Sequence, residues 1–200
     1  MASFTSHPVD TIDIPSYFSS FPVRSCESEA FPTIQKALKN TISRCTAPGS
    51  KERRKAEYRH ANPAGNLFGL CLTLCRADRI GYVAQLIEFL CIVDDVMEDL
   101  PFAEAIIEHE LLRQALHEEH DDDHYTSQVF NGLKDFLRDL RVELTRDSDP
   151  SNLTLLHTLD ISLQHRDSVD TEFQSLEDYI PYRKMNFDFE CVFIQFYNMQ

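Results

Sequence analysis

The residues with the clearest capacity for chemistry lie at the end of one apolar stretch, Tyr82 to Asp99, YVAQLIEFLCIVDDVMED. Asp94, Asp95 and Glu98 cluster there in the pattern Asp-Asp-x-x-Glu. Hard carboxylate oxygens of this kind are what Mg2+ accepts, with water and substrate phosphates completing its octahedron. Read as a helix, Val83, Ile87, Leu90, Asp94 and Glu98 follow at steps of three or four and form one stripe. The stripe is predicted to face the core and to end in carboxylates. Burying charge is costly without a counter-charge, and a divalent cation is the expected remedy. Leu100-Pro101 ends the helix just beyond, which sets the acids at the mouth of whatever the stripe lines. The plainer alternative is a solvated acidic helix end, because Asp and Glu are seldom buried alone.

Other elements must hold that stretch in position, and the hydrophobic pattern predicts that they are helices. Residues 1–25 are punctuated by Pro8, Pro15 and Pro22 and read as an irregular strap. Ile34, Leu38 and Ile42 predict a helix over 29–44. Ala47–Lys55, with its basic cluster, reads as a polar connection and helix start. Asn62–Asn66 is a turn, Leu67–Cys75 a short apolar helix, and Asp78 a candidate cap before the acidic-ended helix. Helices follow over 101–118, 126–146 and 153–166, with a turn at Asp147–Asn152 and a further helix starting at Ser175. In the 126–146 helix Val129, Leu133, Phe136, Leu137, Leu140 and Leu144 are predicted inward. Lys134, Asp135, Arg138, Asp139 and Arg141 are predicted outward. His120–His124, with three consecutive acids, reads as a solvated loop. The fold class is all-α, helices packed around a shared interior.

The segment GNLFGLCLTLCRADRIGYVAQLIEFLCIVDDVMED resembles class I terpene cyclases, particularly the N-terminal cyclase domains of fungal bifunctional terpene synthases of the fusicoccadiene and ophiobolin type. A second stretch, SLEDYIPYRKMNFDFE, resembles the cyclase segment in which an arginine senses diphosphate. The resemblance implies the helical bundle of class I terpenoid synthases, with residues 26–200 as the earlier part of a single α-domain. It implies Mg2+ held by Asp94, Asp95 and Glu98, and an isoprenyl diphosphate substrate such as geranylgeranyl or geranylfarnesyl diphosphate. Arg183 takes the sensor role with Tyr182 beside it, Asn186 the linker position and Phe187 the effector position. Phe68, Phe89, Phe187 and Phe189 are candidate aromatic walls for a carbocation. The reaction implied is ionisation of the diphosphate followed by cyclisation away from water. The second metal motif of the family is not found, and the resemblance runs from about residue 15 to Gln200. The expectation is a truncated cyclase, inactive alone, lacking the cyclase remainder and the fused prenyltransferase domain.

Composition agrees with a domain that recruits cations. The net charge of −14 argues against a nucleic-acid partner, which needs clustered Lys and Arg. Five glycines and 42% hydrophobic residues favour a helical core. The six cysteines include no Cys-x-x-Cys, and Cys71 and Cys75 read as small buried residues. No secretory pattern or apolar stretch of about 20 residues is present, so a cytoplasmic setting without a membrane span is expected. Two other readings compete. An isoprenyl diphosphate synthase would want two aspartate-rich motifs, and a non-enzymatic acidic helical protein would bind partners or cations without turnover.

Overall fold

The computed structural model describes residues 6–10, 24–26, 30–61, 68–69, 72–73, 75–117, 128–146, 149–164 and 173–186. Near the N-terminus, Ser6–Pro8 (β1) and Arg24–Cys26 (β2) pair antiparallel with His7 opposite Ser25. The stretch read as an irregular strap thus contributes to a short ribbon. The other described elements are helices: α1 (Ala30–Cys45), α2 (Lys51–Arg59), α3 (Ile80–Met97), α4 (Phe102–His117), α5 (Gln128–Arg146), α6 (Pro150–Gln164) and α7 (Leu176–Asn186). The chain is all-α in character, as its periodicity predicts. None of the described helices is long and apolar enough to cross a membrane.

Helix α3 packs against α1 on one side and α2 on another; α1 also meets α5, and α4, α5 and α6 pack pairwise. Ile34, Leu38 and Ile42 of α1 are buried as one stripe, with Ala37 and Thr41 filling the turns between. Phe89 of α3 and Phe136 of α5 are both sealed from solvent, and their rings stack at 5.4 Å between centroids. The crossing of α1 and α5 is close. A side-chain carbon added at Gly132 would lie 2.7 Å from the Arg44 carbonyl oxygen, so glycine lets the helices meet. Beside it the Arg44 guanidinium lies 5.0 Å over the Phe136 ring and 2.6 Å from Asp139.

One local expectation holds and two change. The helix start within Ala47–Lys55 is that of α2, which begins where Ser50 Oγ accepts the Arg53 N–H at 3.1 Å. The turn before it is made by Gly49 in the left-handed region at φ 76°. Lys134, expected outward, is only 5% exposed. A long aliphatic stem permits that, and its charge faces the buried Glu108 of α4, whose carboxyl burial pushes up against the opposing pull of Lys134. The sixth helix begins at Pro150, inside the stretch read as a turn. Proline is pre-set for a first helical position, where its missing N–H costs nothing.

Candidate metal and diphosphate site at the end of α3

Helix α3 is apolar almost all the way round: Ile80, Val83, Ala84, Leu86, Phe89, Ile92, Val93, Val96 and Met97 are buried. Periodicity therefore could not single out its inward face, and the predicted orientation is corrected. Of the stripe, only Val83 is fully buried; Ile87 and Leu90 are partly covered, and Asp94 and Glu98 are exposed. The stripe lies on the more open side of the helix, and α1, α2 and Phe136 of α5 cover much of the rest.

Asp95, about a quarter-turn round from Asp94, points to α2. Lys55 Nζ donates to Asp95 Oδ1 at 3.0 Å, and Arg59 Nη1 donates to Oδ2. One turn on, Lys51 Nζ lies 2.7 Å from both carboxylate oxygens of Asp99. Two turns back is an acid that the pattern did not single out. Glu88 is completely buried, accepting from Arg59 Nη2 at 3.1 Å and lying 2.6 Å from His60 Nε2. Helix α2 thus runs antiparallel along the acidic seam of α3 and supplies the cations that the sequence reading assigned to metal. The hydrogen bond that it donates to Asp95 chiefly holds the Lys55 ammonium above its ordinary range. For Arg59, burial opposes the charge, but Asp95 and Glu88 outweigh it. Lys51 in turn holds the Asp99 carboxyl below the usual carboxylate range. Cys91, half-buried nearby, is pushed up to about 11 by burial and then by the charge of Glu88, which makes it a poor nucleophile.

The other end of α3 is held separately. Arg79, 5% exposed, donates to Asn152 Oδ1 at 2.5 Å and to Asp149, while Asn152 Nδ2 donates to the Leu144 carbonyl at 3.0 Å. Asp78, predicted as a cap, instead takes a bidentate contact from Arg76 at 2.8 and 3.1 Å, and that hydrogen bonding lowers its carboxyl.

The remaining predicted residues divide by placement. Phe68 and Phe89 belong to the core: Phe68 is 5% exposed with its ring 5.3 Å from that of His60, and Phe89 stacks as described above. Tyr182, Arg183 and Asn186 lie on the backbone of α7, which Ser175 starts by accepting the Asp178 N–H at 3.1 Å. Their side chains, together with Phe187, Phe189 and the whole of His120–His124, lie outside the described residues. Among the described residues no three His, Cys, Asp or Glu side chains converge as a ready metal cage. A cleft of about 340 Å3 opens where α1 meets α5, lined by Arg44, Thr46, Asn131, Gly132 and Asp135, and no acid of α3 borders it. No protein-family model matches the chain, and no curated protein matches it in sequence.

Proposed function

We propose that this chain carries the magnesium- and diphosphate-binding end of a class I terpene cyclase. In this reading Asp94 and Glu98, with Asp95 beside them, hold Mg2+ against the diphosphate of a linear isoprenoid such as geranylgeranyl or geranylfarnesyl diphosphate. Arg183 grips the same group with a permanently charged fork. What supports the reading is the open face of α3. Along this side half-covered Ile87 and Leu90 lead to exposed Asp94 and Glu98. An isoprenyl diphosphate divides in the same way, apolar along its tail and anionic at its head.

The donor set fits the metal in part. Two exposed carboxylates one turn apart suit Mg2+, which keeps several waters and shares substrate phosphates. Asp95 fits less well as a ligand, because both its oxygens already accept from Lys55 and Arg59. Bound Mg2+ supplies Lewis-acid stabilisation of a leaving diphosphate. The chain's own part would be to orient Asp94 and Glu98 and to offer Ile87 and Leu90 as apolar surface for the tail.

The test is calorimetric titration of the full chain with inorganic diphosphate, with and without Mg2+. Binding is expected only when both are present, and Asp94→Ala should weaken it about tenfold or more. Diphosphate binding that ignores Mg2+, or none at all, removes the reading. Chain elongation with isopentenyl diphosphate would favour an isoprenyl diphosphate synthase. One observation favours the non-enzymatic alternative: Glu88, Asp95 and Asp99 are already matched by cations of α2 and His60, and so need no metal. Under that alternative Mg2+ and diphosphate show no linkage.

A further inference from the structure

We infer that Glu88 is a positioning residue for the acidic turn, acting through Arg59 on Asp95. The inference deepens the metal-site reading above, but the relay itself stands on contacts that exist without metal.

Glu88 has no exposed side-chain surface, and its two oxygens face two donors from the end of α2, Arg59 Nη2 and His60 Nε2. A buried ion pair is a weak stabiliser, because desolvation takes back most of the attraction and an apolar residue of similar size serves as well. Here the cluster carries an added cost, since Arg59 Nε and His60 Nδ1 are buried and find no hydrogen-bond partner among the described residues. Stability alone therefore does not account for a carboxylate in the apolar middle of α3.

Geometry does. Residues 88 and 95 are two turns apart on one side of α3. The Arg59 fork bridges them, with one terminal nitrogen on Glu88 and the other on Asp95. A planar guanidinium anchored at one end has little freedom at the other, whereas an ammonium is a single point that cannot span both. Glu88 thus sets the plane of Arg59, and Arg59 with Lys55 draws the Asp95 carboxylate toward α2. The consequence is a division of labour in the acidic turn: Asp95 is turned to α2, Asp94 stays exposed, and Glu98, also exposed, lies 3.9 Å from the Lys55 ammonium.

The experiment is a double-mutant cycle on the full chain, with Glu88→Gln and Asp95→Asn read by denaturant unfolding. These side chains share only Arg59, yet the unfolding constant of the double variant should depart from the product of the singles by about fivefold. In an Arg59→Met background the departure should vanish. In parallel, the carboxyl-carbon NMR resonance of Asp95 should move in Glu88→Gln and stay fixed in Glu57→Gln, where a surface partner of Arg53 is altered. Arg59→Lys, which keeps the charge and loses the bridge, should move the same resonance, and it serves if Glu88→Gln fails to fold. Additive effects with an unmoved resonance overturn the relay. Loss of Mg2+ binding in the unaltered chain would overturn the metal-site reading, while the coupling and the resonance would still decide the relay.

Discussion

Both ends of α3 are tied down by an arginine, and the two ties are built differently. At the N-terminal end Arg79 is 5% exposed, and it gathers Asp149 and Asn152 from one corner, where α5 gives way to α6. Asn152 passes the tie on to the Leu144 carbonyl, so the backbone of α5 is included. At the C-terminal end Arg59 keeps 29% of its side chain exposed and spreads its contacts along α3, from Glu88 to Asp95. Lys51 and Lys55 extend that seam toward solvent. The first tie is a buried corner that holds three helices together. The second is a partly wet seam that sorts one group of acids into those facing α2 and those facing outward. Burial of Arg79 gives the first its strength, and incomplete burial of the second leaves Asp94 and Glu98 exposed at its edge.

The largest effect should come from cutting the buried corner. Arg79→Leu leaves Asp149 and Asn152 without their cation, and it should cost roughly 3 kcal/mol in denaturant unfolding, as breaking buried pairs does. Arg59→Leu should cost less, about 1–2 kcal/mol, because His60 stays beside Glu88 and Lys55 beside Asp95 when the guanidinium is removed. Equal losses would break the comparison.

Within the seam Asp95, held by two cations of α2, should separate next from the exposed Asp94. Asp95→Asn is expected to lose roughly 1–2 kcal/mol of stability with its two charged donors. Asp94→Asn should stay within about 0.5 kcal/mol, as surface changes do. If the two cost the same, the acids are not divided in the way that their exposure indicates.

The smallest effect concerns acid. Asp99 is held low by Lys51, so its contribution is present above the unfolded carboxylate value of about 4 and is lost as pH falls through its lower folded value. Denaturation midpoints should therefore drop as pH falls below about 4, and Lys51→Met should make that limb slightly shallower. An unaltered limb would leave Lys51 and Asp99 as a contact without consequence.

Much of this architecture was legible along the chain. Helices predicted over 29–44, 101–118 and 126–146 are observed at Ala30–Cys45, Phe102–His117 and Gln128–Arg146. Each carries a local hydrophobic rhythm that needs no knowledge of neighbours. Helix α2 was not legible as a partner of α3. It docks largely through Lys51, Lys55 and Arg59, with Ala56 as its one buried residue, so it lacks the apolar stripe that marks a packed helix. The available signal was Gly49-Ser50 ahead of a run of good helix formers, a turn and a cap in sequence. Glu88 escaped notice for a related reason: one acid among apolar neighbours shows its partner only once the chain has folded.

The order of residues by itself determined that α3 is helical, that its apolar body ends in Asp94, Asp95 and Glu98, and that Pro101 follows close behind. These features depend on backbone preference and on spacing within a few turns. Only the tertiary structure decided which side of α3 stays open and which acid is matched by a cation. Asp95 and Glu88 meet Arg59 from 36 and 29 positions further along the chain. On a helix apolar on nearly every side, the neighbours that cover it choose the face left to water, and no period within the helix can choose it for them.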